Sequence, residues 1–164
     1  MRESRSLIVG VDGSAAALAA LRWAGLGARL LGAEVVAVHV WQPSAAMRAP
    51  YAPVGDLRTQ EQDRSHALDI LDATVAQVRE RDPEVAVRTL LAQGAPARVL
   101  LDHCRHALLL ALGRGAREDV TQPVLGAVAR TCIRHATCPV VTVPESLLDA
   151  APADPAWLPE PTAV

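Results

Sequence analysis

Five short apolar runs punctuate this chain, and the stretches between them carry apolar residues at helical spacing. The runs are Leu7–Val11, Glu34–Val40, Val85–Leu91, Ala107–Leu112 and Val140–Val143. Near-continuous apolar runs of this length, closed by turn residues such as Asp12-Gly13-Ser14, are the pattern of strands buried on both faces of a parallel sheet. Val85–Leu91 alternates instead, as a half-exposed edge strand does. The first intervening stretch, Ala15–Leu31, has Leu18, Leu21, Ala24 or Gly25, and Ala28 on one side, with Ser14 as its N-cap and Gly32 as its stop. Leu57–Arg81 reads as a polar amphipathic helix with Leu68, Leu71 and Val75 on its inner face, ended by Asp82-Pro83. A third helix opens at Gly94-Ala95-Pro96, where proline suits the first turn, and buries Val99, Leu100 and Leu101. A fourth follows Gly126.

Strands and helices in strict alternation, joined by right-handed crossovers, predict a doubly wound α/β fold. Its five-stranded parallel sheet takes the order 3-2-1-4-5, with helices on both faces. The domain is expected to span residues 1–144. Beyond it, Pro152, Pro155, Pro159 and Pro161 among Ala, Asp and Glu make 145–164 a tail of little expected order, with Trp157 as its anchor candidate. Ser44–Asp56, with Pro50, Pro53 and Gly55, reads as a loop.

Composition sharpens this picture in three ways. The chain has 164 residues, 51% of them hydrophobic, yet no Phe and only 2% aromatics, so the core is built from Leu, Val, Ile and Ala. All sixteen basic residues are Arg, and the net charge is −2, which leaves no broad cationic field of the kind a phosphate-backbone binder needs. Nucleic acid is therefore excluded as an expected partner. The amino terminus enters a strand with no apolar signal run, and no later stretch approaches about eighteen uninterrupted apolar residues. With three cysteines in no framework spacing, the expectation is a cytoplasmic protein without a membrane partner.

The candidate chemistry lies between Ala107 and Val143. There a strand stops at Gly113-Arg114-Gly115, a polar loop follows, Gly126 opens a helix, and Pro139 leads into the last strand. In open α/β sheets ligands settle beyond the carboxyl ends of the strands, where helix N-termini present unpaired N–H groups to an anion such as phosphate. Arg114 and Arg117 flank the loop and offer bidentate donors, opposed at once by Glu118 and Asp119.

These residues, together with ValGlyValAspGlySer at 9–14, TrpGlnPro at 41–43, the GlnGlyAlaProAla turn at 93–97 and the HisAlaThrCysPro stretch at 135–139, resemble the universal stress protein family. The resemblance covers residues 6 to about 143. It implies a site for an adenine nucleotide, ATP, with the acid at Asp12 on its adenine and ribose side beside Val11. The backbone at Val40 would meet the adenine edge, and Gly113, Gly115, Gly126 and the amides of Ala127 and Val128 would take phosphate. A second role is open to Asp12, that of capping its own turn. The family loop reads Gly-x2-Gly-x9-Gly-Ser/Thr, and this chain departs from it. Ten residues separate Gly115 from Gly126, and Leu112 then stands in the first glycine's place. Taking Gly113 as the first puts Ala116 in the second place. Either way one glycine is missing, and Ala127 replaces the hydroxyl. A hydrogen bond to a charged group is worth about 1.5–3 kcal/mol, so the loss weakens phosphate binding by about one to two decades. The acid that family members usually carry before the fourth strand is Ala107 here.

Two readings follow from the resemblance. One is an ATP-binding regulatory module of the stress response; the other is a nucleotide-free member that works by dimerisation and binding of an unidentified protein partner. The resemblance further implies a homodimer through the edge strand Val140–Val143. Catalysis has no visible apparatus, since no general base or metal carboxylate is identifiable in the loop by motif, and no Lys exists for a Walker motif. Cys132, His135 and Cys138 fall at three-residue spacing, but structural zinc takes four ligands in two pairs, so no metal is expected. His103, Cys104 and His106 have no Asp or Ser placed to form a triad.

Overall fold

In a computed structural model the described residues are 5–47, 58–115 and 125–149. Five strands, β1 (Ser6–Val11), β2 (Glu34–Trp41), β3 (Val87–Gln93), β4 (Leu109–Arg114) and β5 (Val140–Pro144), form one sheet in the order β3-β2-β1-β4-β5. All four pairings are parallel, as the alternation requires. The helices are α1 (Ala15–Leu31), α2 (Gln60–Arg81), α3 (Pro96–His103) and α4 (Ala127–His135).

Two cores sit on opposite faces of the sheet. Beneath α1 and α2 lie Leu7, Val9, Val35, Ala37 and Ala111, packed against Leu21, Ala24, Leu71, Val75 and Val78. Beneath α3 and α4 lie Ile8, Val36, Val38, Leu110 and Leu112, packed against Leu100, Cys104, Ala129 and Cys132. Successive strand residues alternate between the two, which is why the central runs must be apolar throughout. The inner stripe of α2 is Ala67, Leu71, Thr74, Val75 and Val78. Leu68, expected inside, is 37% exposed, because the buried stripe follows the spacing through Ala67. On α3 only Leu100 is fully buried, while Val99 and Leu101 pack at the margin.

Three boundaries differ from expectation. β3 runs Val87–Gln93, two residues later than the alternation suggests, because its register is set by pairing with Val35–Trp41 of β2. β4 likewise continues through Gly113 to Arg114, which pair with Val143 and Pro144. Gly113 therefore lies within the strand and does not end it. Finally, Glu145–Leu148, assigned by sequence to the tail, forms a 3-10 turn across α1, where Arg22 Nη1 donates to the Leu148 carbonyl at 2.6 Å. Trp157 and the rest of 150–164 lie outside the described residues, as do residues 48–57 of the loop after β2. The near end of that loop is a 3-10 turn, Ser44–Met47, held by Asp63: its Oδ2 accepts from the Ser44 amide at 2.7 Å and from the Ser44 hydroxyl at 2.8 Å. These bonds hold the Asp63 carboxyl below the usual carboxylate range.

Candidate functional site

At the carboxyl end of the sheet the chain leaves β1 for α1 on one face and β4 for α4 on the other. A cavity of about 290 Å³ opens there, lined among others by Val11, Asp12, Val40, Gly113, Gly126 and Val128. Its floor is apolar: Val38 from β2, Leu112 from β4 and Leu100 from α3. Gly10 in β1 allows that floor, since a Cβ there would come within 2.6 Å of the Leu112 side chain. The rim is polar and comes from the starts of three helices, at Ser14 and Ala17, at Pro96, and at Gly126 and Ala127. The N-cap of α4 is Gly126, which has no side chain, so no side-chain cap bond occupies the first amides of that helix. Free amides and a positive dipole end at a cavity rim suit an anion.

The turn after β1 is built locally. Gly13 takes φ +82, a left-handed conformation that turns the strand into the helix. Ser14 caps α1 by accepting from the Ala17 amide at 3.1 Å. Its own hydroxyl and amide donate to Asp12 Oδ1, at 2.6 and 3.0 Å. Asp12 thus does brace its turn, with one oxygen; no bond among the described residues engages Oδ2. A residue absent from the sequence reading completes the turn. His39, 9% exposed on β2, points Nδ1 at the Val11 carbonyl oxygen at 2.6 Å. A carbonyl only accepts, so Nδ1 carries the proton. The signal for it was a lone imidazole in the apolar run Val35–Val40.

Seven of the eight residues singled out by sequence, Val11, Asp12, Val40, Gly113, Gly126, Ala127 and Val128, line this one cavity. Gly115 does not line it; it is exposed just past β4, with nothing within 4 Å of where a Cβ would lie. With Gly113 taken as the loop's first glycine, Ala116 falls in the second place and residues 117–125 give a nine-residue interval to Gly126. Gly113 also has a packing reason to be glycine: a Cβ would lie 2.6 Å from the Ala17 nitrogen and closer still to the Ala16 carbonyl, so α1 rests directly on β4. Arg117, Glu118, Asp119 and Pro123 lie outside the described residues. Ala127 carries only a methyl, and its carbonyl accepts from the Thr131 hydroxyl at 2.9 Å.

The three cysteines are unpaired. Cys104 and Cys132 are buried in the second core, and Cys138 packs against it. Burial pushes the Cys132 thiol up to about 11, and burial together with a hydrogen bond to Cys104 does the same for Cys138. Among the described residues no group of three or more His, Cys, Asp or Glu is arranged to hold a metal.

A doubly wound sheet whose apolar-floored cavity is rimmed by helix N-termini at the strand-order reversal defines the nucleotide-pocket class of open α/β proteins. Within that class the chain belongs to the Universal stress protein family, whose profile matches residues 3–144. It is 32% identical over 142 residues to Universal stress protein Rv2623 of Mycobacterium tuberculosis, a match covering 85% of this chain and 48% of that protein. The chain thus spans about half the length of the curated relatives it matches. The Archaeoglobus fulgidus universal stress protein in complex with dAMP superimposes with a TM-score of 0.61 at 26% identity, over 85% of this chain and 97% of that one. An Arabidopsis thaliana universal stress protein family member with AMP bound shares the fold, with a TM-score of 0.59 at 22% identity over 85% and 91% of the two chains. In no described helix is there a segment long and apolar enough to cross a membrane.

Proposed function

We propose that this chain is an adenine nucleotide-binding regulatory module of the cytoplasmic stress response, with ATP as its ligand and no catalytic step of its own. The observation that carries the reading is the cavity between β1 and β4, apolar below and rimmed by three helix N-termini. Adenine rests on Val38 and Leu100 and meets the backbone at Val40, Asp12 faces the ribose with its unengaged oxygen, and phosphate lies against Gly113, Gly126 and the amides of Ala127 and Val128. That a relative of 26% identity is solved with dAMP supports the ligand class. Calorimetric titration with ATP, AMP and adenosine tests it: the expected affinity for ATP is micromolar or weaker, and Asp12→Ala weakens all three. Absence of binding at millimolar nucleotide would overturn the reading.

In that event the second reading stands, a nucleotide-free member acting through dimerisation and a protein partner. Ala116 and Ala127 favour it, as does the packing role that accounts for Gly113 without phosphate. Assembly is common to both readings. β5 is an edge of the sheet, with Val140, Val141 and Thr142 half-buried within the chain, while Val143 is only 1% exposed beneath α1. The strand edge and Val141, not the Val143 side chain, would then meet a second copy in a homodimer. Val141→Arg is expected to give monomers, because the contact would bury an unpaired charge. A wild-type chain that sediments as a monomer at about 10⁻⁵ M, well above typical specific affinities, would remove the dimer.

A further inference from the structure

The net charge of −2 conceals a separation of charge across the sheet. The face of α1 and α2, counted over Ala15–Leu31 and Gln60–Glu84, carries seven acids against five arginines. The opposite face, made by α3 and α4 lying side by side over the second core, carries Arg98, Arg105, Arg130 and Arg134 and three histidines, with Asp102 as the single acid of the two helices and the turn after α3. All of these side chains are exposed. Asp102 pairs with Arg105 at 3.1 Å, so Arg98, Arg130 and Arg134 have no ion pair among the described residues. Arg130 and Arg134 stand one turn apart on a helix of nine residues that contains no acid. Like charges at that spacing destabilise a helix, and an anion set between them relieves the repulsion.

We propose that the α3/α4 face is a docking surface for an acidic segment of a partner protein. Every cation of fixed charge there is an arginine, whose planar fork takes a carboxylate through two parallel bonds. Ile133, 48% exposed between Arg130 and Arg134, adds an apolar contact that a peptide side chain can cover. A nucleic acid fits less well. The face offers four arginines, where a phosphate-backbone binder commonly makes about 6–10 contacts, and neither helix holds a Phe, Tyr or Trp on which a base would stack. The inference does not depend on nucleotide occupancy.

The test is titration of the full-length ¹⁵N-labelled chain with a glutamate-rich peptide. Saturable shifts are expected in residues 98–106 and 127–136, weakening as salt is raised. Arg130→Glu with Arg134→Glu should weaken the peptide by at least about tenfold, and Arg130→Gln with Arg134→Gln by less, in variants whose unfolding midpoints match the parent. Absence of shifts, shifts confined to α1 and α2, or an unchanged affinity in the charge-reversed chain would overturn the proposal. So would a single-stranded oligonucleotide of matched charge that binds more tightly than the peptide. Self-association of the unliganded chain abolished by the same reversals would also overturn it, by making the occupant a second copy.

Discussion

The two faces of the sheet divide the work of the molecule. On one, α1 and α2 run for 17 and 22 residues and pack so closely that alanines and Gly113 replace larger side chains at the contact. On the other, α3 and α4 have 8 and 9 residues, leave a cavity at one end, cover the buried Cys104 and Cys132, and present arginines outward. Long, tightly seated helices supply stability because every buried methylene counts in a dense interior. Short helices bury less, but each brings its N-terminus to the rim. Both proposed binding surfaces draw on the face with the shorter helices, a division that substitutions can break.

The largest effect is expected at the seam between the faces. Gly113→Val drives a branched side chain into the Ala16–Ala17 backbone and should cost about 3 kcal/mol or more in urea denaturation, whereas Gly115→Ala should stay within about 0.5 kcal/mol. Equal effects at the two glycines would contradict the packing role of Gly113. Next come the cores: Leu21→Ala on the inner face of α1 should cost about 3 kcal/mol, and Leu100→Ala about 2, because the space it leaves joins the existing cavity. If Leu100→Ala costs as much as Leu21→Ala, the faces do not differ in the sense argued. Ala127→Ser restores a hydroxyl at the cavity rim and should tighten ATP by about tenfold with little change for adenosine, read by calorimetry. Similar gains for both ligands would place residue 127 away from phosphate.

A pH dependence is expected to originate on the α3/α4 face. The Cys132 and Cys138 thiols are raised to about 11 in the folded chain, against about 8.5 when unfolded. The unfolded chain therefore loses these protons first as pH rises. Stability is unaffected below the unfolded value and declines between it and about 11. Urea midpoints at pH 7 and pH 10 should diverge in the parent and converge in Cys132→Ala with Cys138→Ala; an unchanged divergence would assign it elsewhere.

By itself the sequence determined the architecture. Apolar runs of four to seven residues, capped helices and their strict alternation admit little besides a doubly wound parallel sheet, since those signals are local and each agrees with the next. It also marked most of the cavity, because a ligand site at strand ends must fall on the turn after β1 and on the start of α4. Tertiary structure decided what pairing and packing decide. Register carried β4 through Gly113 and β3 to Gln93, and packing of α2 on the sheet buried Ala67 and left Leu68 exposed. Contact with α1 ordered Glu145–Leu148, where composition alone had suggested a tail. The direct seat of α1 on β4 depended on which glycine touches Ala16, and the hold of His39 on Val11 on which residues the β1–β2 register sets side by side. These are relations between residues distant in sequence, which no local pattern encodes.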